Sequence, residues 1–338
     1  MALRVFGQQA VKGLKHMHKQ SLMSSKDVSL MYQSTAAAST KSLDISGILP
    51  PIPTPFNEDG SFAFDKLKFN MDKWNKIPFK GYVVLGSNGE CGLLNWDERV
   101  QLLEETKKLA DPSKLVVGGS GCDSTRDTVL MTKRMANAGA DAVLVVNPSF
   151  YKASMTYQAL MAHYTKVADE SPVPVILYNV PSNTGMDIPP EVIISLSQHP
   201  NIIGLKDSGG DITRITTLCF QTASSGFQIL AGSAGFLLAA YNVGCVGGVC
   251  GLANIIGEDL CRLMQLAKTS DLKTAMDLQL RLVGPNTCVT RKYGVPGLKA
   301  ALEWFGYYGG PTRLPLVPLT ADETEFMRKA FQKSGYLD

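Results

Sequence analysis

Short apolar runs alternate with longer amphipathic runs along the chain from Ile45 onward. The apolar runs are continuous rather than alternating, which is typical of parallel strands that are covered on both faces. Eight of them are predicted as strands: residues 48–56, 82–85, 115–118, 142–146, 173–178, 202–206, 228–231 and 245–250. Their spacing is that of repeated strand–helix–strand units.

The segments between these strands show helical periodicity. Residues 96–110 are predicted as a helix that follows Asn95, and residues 123–138 as a helix that begins with an Asp cap and ends at Gly139. Eight such units predict an α/β fold, a (β/α)8 TIM barrel, over residues 43–257. Three later helical segments, at about residues 258–288, 294–306 and 320–334, predict a C-terminal helical extension over residues 258–338.

An open, doubly wound sheet is the competing architecture. Such a sheet normally carries G-x-G-x-x-G after its first strand when it binds a dinucleotide. Here the first strand ends Pro-Thr-Pro-Phe, and the glycine cluster at residues 118–121 has the wrong spacing and follows the third strand. The sequence therefore favours the barrel and implies no nucleotide cofactor.

Residues 1–42 differ in composition from the rest of the chain. Five basic residues and no acidic residue precede Asp27, and a Ser/Thr/Ala-rich run follows. This composition is typical of a mitochondrial transit peptide, and the apolar segment of a secretory signal is missing. We expect a disordered leader that directs the protein to the mitochondrial matrix; the alternative is a tail without a targeting signal.

Composition excludes several classes of function. Charged residues make up 19% of the 338 residues, and the net charge of +3 is not concentrated in a basic stripe, so no nucleic-acid partner is expected. The uncharged stretch at residues 215–257 is interrupted by glycines, so we expect no membrane span. Seven cysteines without a CxxC pair predict reduced, buried thiols, and the four histidines lack ligand spacing, so no metal site is expected.

Catalytic residues of a barrel lie at the carboxyl ends of its strands. Lys206 closes the sixth predicted strand, whereas Lys80 and Lys114 precede their strands and belong to the opposite rim. An amine among apolar side chains loses hydration of its charged form, its pKa falls, and the neutral amine can attack a carbonyl. The alternative is a lysine that extends its ammonium group to solvent.

Two other strand ends carry candidate chemistry. Tyr178 closes the neighbouring fifth strand, where its phenol could relay a proton or simply cap the core. The sequence GSNGE at residues 86–90 follows the second strand and offers backbone amides, the Ser87 hydroxyl and the Asn88 carboxamide. Such a loop could hold a carboxylate or a phosphate, or be an ordinary turn.

Three motifs together resemble the pyruvate-dependent class I aldolases, the family of dihydrodipicolinate synthase and N-acetylneuraminate lyase. They are GSNGE at residues 86–90, YNVPSNTG at residues 178–185 and IIGLKD at residues 202–207. The resemblance implies that Lys206 forms a Schiff base with a 2-oxo acid and that Tyr178 relays protons, with Ser87 completing its hydroxyl chain. It also implies that the amides around Ser87 and Asn88 hold the keto-acid carboxylate, that no cofactor is needed, and that the chain forms a homotetramer.

Details within the family narrow the expected reaction. Dihydrodipicolinate synthases usually carry Arg where this chain has Asn183, which cannot supply a bidentate charge to a carboxylate. In this difference, in the AGSAGF sequence at residues 231–236 and in residues 304–311, the chain resembles the members of the family that act on 4-hydroxy-2-oxoglutarate. The resemblance implies cleavage of that substrate to pyruvate and glyoxylate. Substrate-binding candidates are Ser87, Asn88, Asn183, Ser208 and Gly232, with Ser233 also considered for the distal carboxylate. The alternatives are another pyruvate-dependent lyase of the family and a barrel that binds a keto acid without catalysis.

One departure from the family pattern concerns the loop after the fourth strand. The family usually has a Tyr-Tyr pair there, and one tyrosine reaches the site of a neighbouring subunit. Here the segment reads Ser149-Phe150-Tyr151. Tyr151 is the candidate for this catalytic position, although Phe150 could occupy it instead.

Overall fold

The computed structural model describes residues 43–338, which belong to one compact unit. The predicted transit peptide lies outside the described residues. In the described part of the chain, no helix combines the length and the apolar character needed to cross a membrane.

The described residues contain eight parallel strands in a single sheet. They are β1 (Gly47–Ile48), β2 (Gly81–Val84), β3 (Leu115–Gly119), β4 (Ala142–Val146), β5 (Val175–Asn179), β6 (Ile202–Asp207), β7 (Gln228–Ala231) and β8 (Gly247–Gly248). Each strand pairs with the next one along the chain from β2 to β8, and β8 pairs with β1. A bridge between Pro51 and Val83 and a 2.9 Å hydrogen bond from the Lys80 amide to the Ile48 carbonyl close the sheet between β1 and β2. The predicted (β/α)8 TIM barrel is confirmed.

The first and last strands are much shorter than the sequence predicts. β1 ends at Ile48 because Pro50, Pro51 and Pro53 follow, and proline has no N–H to donate to a ladder. β8 is limited to the two residues that pair with β1, Gly47 with Gly247 and Ile48 with Gly248. The prediction from apolar runs therefore overestimated the lengths of both strands.

The helices cover the outside of the barrel and continue beyond it. Those between the strands are α1 (Phe64–Trp74), α2 (Trp96–Leu109), α3 (Thr125–Asn137), α4 (Tyr157–Glu170), α5 (Pro181–Thr184), α6 (Pro190–Leu196), α7 (Ile212–Thr222) and α8 (Leu237–Asn242). After β8 follow α9 (Ala253–Lys268), α10 (Leu272–Thr287), a π-helical segment at Cys288–Lys292, α11 (Gly294–Trp304) and α12 (Ala321–Lys333).

Two helix boundaries differ from the prediction. The cap of α3 is Ser124, whose hydroxyl accepts the Asp127 amide, and not Asp123. The segment predicted as one helix at residues 258–288 is two helices, α9 and α10, and Asp271 caps the second by accepting the Thr274 amide. A short polar turn between two apolar helices leaves the helical periodicity almost unbroken, so the sequence pattern did not reveal it.

Alternate strand residues belong to two separate apolar clusters. One cluster contains Val83, Val117, Ile176 and Leu230, and it fills the interior of the barrel; the other packs the outward strand residues against the helices. Tyr178 belongs to the interior cluster. Because Lys206 pairs in register with Tyr178, its side chain also faces the interior. The fold thus places an amine and a phenol at the carboxyl end of the barrel.

All seven cysteines are free thiols. Three of them, Cys245, Cys250 and Cys288, are buried as expected, but the other four are partly exposed. Cys91 and Cys122 are among these four, and both lie at the cavity described below.

Candidate active site

Lys206 and Tyr178 are register partners on β6 and β5. Both are buried, with 3% of Lys206 and 6% of Tyr178 exposed. The Lys206 Nζ lies 4.0 Å from the centroid of the Tyr178 ring. In residues 43–338 no group accepts a hydrogen bond from this amine and no carboxylate forms an ion pair with it. An amine without an acceptor, next to a phenol, is suited to covalent attack on a carbonyl.

The surroundings of Lys206 are apolar. The interior cluster that includes Tyr178 and Leu230 lies below it, and Cys250 is buried nearby. Burial raises the pKa of the Cys250 thiol to about 12, and the positive charge of Lys206 counteracts this only in part. That thiol therefore stays protonated and leaves Lys206 without a thiolate partner.

A chain of polar groups extends from Tyr178 to the loop after β2. The Tyr178 hydroxyl lies 3.3 Å from the Ser87 Oγ, at hydrogen-bonding distance. Asn183 on α5 donates its Nδ2 to the same Ser87 Oγ at 3.0 Å. Three of the residues singled out in the sequence thus meet through their side chains.

The GSNGE loop forms a single 3-10 turn at Ser87–Gly89. The amides of Gly89 and Glu90 donate to the Gly86 and Ser87 carbonyls, but those of Ser87 and Asn88 donate to no acceptor within the described residues. Thr54, which the sequence analysis did not single out, donates its hydroxyl to the Gly89 carbonyl at 2.7 Å and holds the turn in place. Two free N–H groups at the start of such a turn can receive a carboxylate.

A cavity of about 370 Å³ opens at this end of the barrel. Its lining includes Ser87, Tyr178 and Asn183, together with Arg99 and Asn147, which the sequence analysis missed. The helical periodicity of residues 96–110 placed Arg99 on an ordinary helix surface, so no sequence signal distinguished it. Lys206 is not part of this lining, but its Nζ lies 4.0 Å from the ring centroid of Tyr178, which does line the cavity.

The remaining predicted binding residues lie on the loops after β6 and β7. The Ser208 amide donates to the Asn179 carbonyl at 2.9 Å, and the Gly232 amide donates to the Asp207 carbonyl at 2.7 Å. A Cβ on residue 232 would lie 2.0 Å from the Ser208 Oγ, so only glycine fits there. These contacts fix Ser208 and Gly232 against each other, but neither residue lines the cavity that contains Ser87 and Tyr178.

Two further contacts at these loops could not be read from the sequence. Ser233 accepts a 2.9 Å hydrogen bond from Asn286 of α10, so the C-terminal extension reaches the barrel's mouth. Asp207, next to Lys206, is fully buried and accepts from the Gly209 amide at 2.8 Å and from Arg214 at 3.3 Å. The Asp207 carboxylate therefore pairs with Arg214 and the Gly209 amide and, within the described residues, not with the Lys206 amine.

Tyr151 does not join this group of residues. Tyr151 is 71% exposed and Phe150 76% exposed, and neither lines the cavity. The Phe150 amide is held instead by the Asp123 carboxylate at 3.0 Å. A catalytic role for Tyr151 therefore stays a prediction that involves a second subunit.

Comparisons with known proteins agree with this geometry. A sequence model of the dihydrodipicolinate synthetase family matches residues 44–334. A protein of Emericella nidulans called probable mitochondrial 4-hydroxy-2-oxoglutarate aldolase is 36% identical over 87% of this chain and 96% of its own length. The 4-hydroxy-tetrahydrodipicolinate synthase of Methanoculleus marisnigri is 32% identical over 86% of this chain and 99% of its own length.

Solved structures give the same relationship. The dihydrodipicolinate synthase of Acinetobacter baumannii, solved with pyruvate, superposes with a TM-score of 0.82. It is 28% identical, and the match covers 87% of this chain and all of that one. The chain therefore belongs to the dihydrodipicolinate synthetase family and is an enzyme, a lyase of the aldolase type.

Proposed function

We propose that this protein is a class I aldolase that cleaves 4-hydroxy-2-oxoglutarate to pyruvate and glyoxylate. The observation that carries the proposal is the buried Lys206 amine, which has no acceptor among the described residues and lies against Tyr178. The Tyr178 hydroxyl is in turn within 3.3 Å of Ser87. The resemblance to the Emericella nidulans aldolase supports the choice of substrate.

The reaction begins with the Lys206 nitrogen. It attacks the C2 ketone, and loss of one water gives a protonated imine between Lys206 and the substrate. This cation accepts the electron pair of the C3–C4 bond when that bond breaks, so the carbanion forms as a neutral enamine. The imine itself is the electron sink.

Tyr178 handles the protons of the cleavage. Its hydroxyl gives a proton to the oxygen that leaves as water when the protonated imine forms. The phenolate produced in that step then takes the proton of the C4 hydroxyl, and the new C=O bond releases glyoxylate. The Ser87 Oγ lies within hydrogen-bonding distance of the Tyr178 hydroxyl oxygen and shares the proton with it. Protonation of the enamine at C3 and addition of water to the imine then release pyruvate and restore the Lys206 amine.

The loop after β2 supports the keto-acid end of the substrate. The unpaired amides of Ser87 and Asn88 would bind the carboxylate next to the ketone, which places C2 close to Lys206. Ser208, Asn183 and Ser233 remain the candidates for contact with the distal carboxylate, and Gly232 remains a proposed substrate-binding residue.

A 4-hydroxy-tetrahydrodipicolinate synthase is the second candidate, because relatives of that name cover most of this chain. Asn183 argues against it. Its Nδ2 already donates a hydrogen bond to the Ser87 Oγ at 3.0 Å. The Asn183 side chain also has no charge with which to hold the carboxylate of an aldehyde partner. N-acetylneuraminate cleavage is a third possibility within the same family.

Reductive trapping tests the covalent step. Incubation with pyruvate and borohydride should reduce the imine and add a permanent mass to the peptide that contains Lys206, and Lys206→Arg should show no added mass. A barrel that only binds the keto acid would give no adduct in either protein, and that result would overturn the proposal.

Comparison of substrates tests the specificity. Pyruvate release should be fastest from 4-hydroxy-2-oxoglutarate and slow from N-acetylneuraminate, and condensation of pyruvate with aspartate semialdehyde should be slow. Equal or faster turnover of either alternative would reject the assigned substrate and leave the Schiff-base chemistry intact.

We further propose import into the mitochondrial matrix and assembly as a homotetramer. The 26 residues before Asp27, which contain five basic residues and no acidic one, and the Ser-rich run after them support the first statement. The exposed pair of Phe150 and Tyr151 supports contact with a second subunit. Fusion of residues 1–42 to a fluorescent protein and light scattering of the purified enzyme test the two statements. A cytosolic fusion or a monomer would reject them.

A further inference from the structure

Glu90, the last residue of the GSNGE sequence, has an unusual environment. Its backbone has φ 55°, in the left-handed region that non-glycine residues rarely adopt. Its carboxylate is fully buried below the loop that carries Ser87 and Asn88. Strain in the backbone and burial of a charge both need compensation from the surrounding structure.

The compensation comes from the C-terminal extension. Lys299 of α11 is 2% exposed, and its Nζ lies 2.7 Å from the Glu90 Oε1. Within the described residues this ion pair is the only polar interaction of that oxygen. The Glu90 Oε2 accepts the backbone amide of Arg313 at 2.9 Å. Lys299 also donates to the Pro311 carbonyl at 2.7 Å, so one lysine connects the loop with residues 309–316, here called the C-terminal strap.

The strap is fastened to the other end of the same loop. The Arg313 guanidinium donates to both oxygens of Glu98 at 2.6 and 2.9 Å, and to the Leu93 carbonyl at 3.1 Å. Glu98 lies in the first turn of α2, directly after the loop. Pro315 and Leu316 of the strap line the cavity that contains Ser87 and Tyr178.

We propose that Lys299 is a positioning residue of the active site. Through Glu90 it holds the backbone amides of Ser87 and Asn88, and the Ser87 hydroxyl, at the place where the substrate carboxylate binds. Ser87 and Glu90 belong to one turn, which is closed by the hydrogen bond from the Glu90 amide to the Ser87 carbonyl. A shift of Glu90 therefore moves Ser87 as well. The inference rests on the proposed function, which assigns that carboxylate to this turn.

A purely structural role for the ion pair predicts something different. A buried pair that only stabilises the fold changes the fraction of folded protein, and the folded molecules then bind pyruvate normally. A positioning role changes the pyruvate concentration at half-maximal trapping, because the binding amides move. A shift of about 1 Å at such a site can reduce a rate ~10²-fold.

The experiment uses three variants of the full chain. Lys299→Met removes the ammonium group, and Glu90→Gln with Lys299→Met removes both charges, so that a folded protein is obtained even if the single variant does not fold. Lys114→Met is the matched control, since Lys114 is a buried lysine at the opposite end of the barrel. Borohydride trapping is measured against pyruvate concentration at a temperature well below unfolding.

We expect half-maximal trapping to need roughly 10- to 100-fold more pyruvate in the variants at residue 299 and no more than the wild-type concentration in Lys114→Met. Alkylation of Cys91, the residue after Glu90, supplies a readout that needs no catalysis. Alkylation should become faster in the variants at residue 299 and stay unchanged in Lys114→Met. In the wild type, burial raises the pKa of this partly exposed thiol, and release of the turn would expose it more fully.

The two readouts separate the two hypotheses. Absence of trapping in the wild type overturns the proposed function, whereas faster alkylation of Cys91 would still support the role of Lys299 in holding the turn. Wild-type half-saturation and wild-type alkylation in the double variant would overturn the positioning role and leave the aldolase proposal standing.

Discussion

The two ends of the barrel each hold a buried lysine, and the two lysines differ in their partners. Lys114, at the amino end of β3, donates its Nζ to the carbonyls of Ile77 and Phe79 at 2.5 and 3.3 Å. Lys206, at the carboxyl end of β6, faces the ring of Tyr178 and has no acceptor in residues 43–338. The two are 8% and 3% exposed.

The difference shows that burial alone does not make a lysine reactive. The amine of Lys114 satisfies backbone carbonyls, and its removal leaves those acceptors without a donor. The amine of Lys206 has no hydrogen-bond acceptor within residues 43–338, so no hydrogen bond in that part of the chain offsets the cost of its burial. Its hydrogen bonds account for the burial of Lys114, whereas the proposed Schiff-base chemistry accounts for the burial of Lys206.

Replacement of Lys206 by methionine gives the largest expected effect. Lys206→Met should reduce aldol cleavage by ~10⁴-fold or more, because no other buried amine faces the ring of Tyr178 in the described part of the chain. The free energy of unfolding should stay the same or rise, since an apolar side chain replaces an unpaired amine. Pyruvate release and urea unfolding measure the two quantities, and a large loss of stability would contradict the comparison.

Removal of the phenol should have the next largest effect. Tyr178→Phe keeps the ring beside Lys206 but removes the proton acceptor, so cleavage should slow by ~10²- to 10⁴-fold. Imine formation with pyruvate should be affected less than cleavage. Equal losses in single-turnover trapping and in cleavage would show that the hydroxyl has no separate role in breaking the C3–C4 bond.

The buried His163, like Lys206, is a basic side chain without a carboxylate partner in the described residues, and it should make the free energy of unfolding depend on pH. Burial lowers the pKa of His163 from 6.5 to about 4, and its Nδ1 lies 2.9 Å from the Thr125 hydroxyl. The unfolded state therefore binds a proton first as pH falls, so stability is full above pH 6.5 and is lost between pH 6.5 and 4. The loss should be ~3 kcal/mol in urea unfolding, and His163→Gln should reduce this pH dependence.

The smallest effect is expected at the opposite rim. Lys114→Met should lower the free energy of unfolding by ~1–3 kcal/mol, because two buried carbonyls lose a donor. Its rate of pyruvate release should equal that of the wild type. A loss of activity without a loss of stability would show that the two ends of the barrel are coupled.

The order of elements followed from sequence, whereas several boundaries did not. Continuous apolar runs identified all eight strands, and β4 and β7 have the predicted bounds, because a strand covered on both faces leaves a clear run. The prolines after Ile48 shortened β1, and β8 pairs with it only at Gly247 and Gly248. Such limits depend on pairing, which a single run does not contain.

The site was predicted unevenly for the same reason. Lys206, Tyr178 and Ser87 follow strand ends, and parallel strands bring their carboxyl ends together, so their proximity could be expected. Thr54, Asn286 and Lys299 reach the site from distant parts of the chain, and neither periodicity nor motif marks them.

The sequence by itself determined a parallel barrel with an amine and a phenol at one end, because strand patterns and strand ends are local properties. Tertiary structure alone decided which of the buried lysines lacks an acceptor, which thiols stay accessible, and how residues 309–316 hold the turn of Glu90. Hydrogen bonds and ion pairs between residues up to 223 positions apart settle these points. Their energies depend on distance in space and on exclusion of water, neither of which is encoded at a single position of the chain.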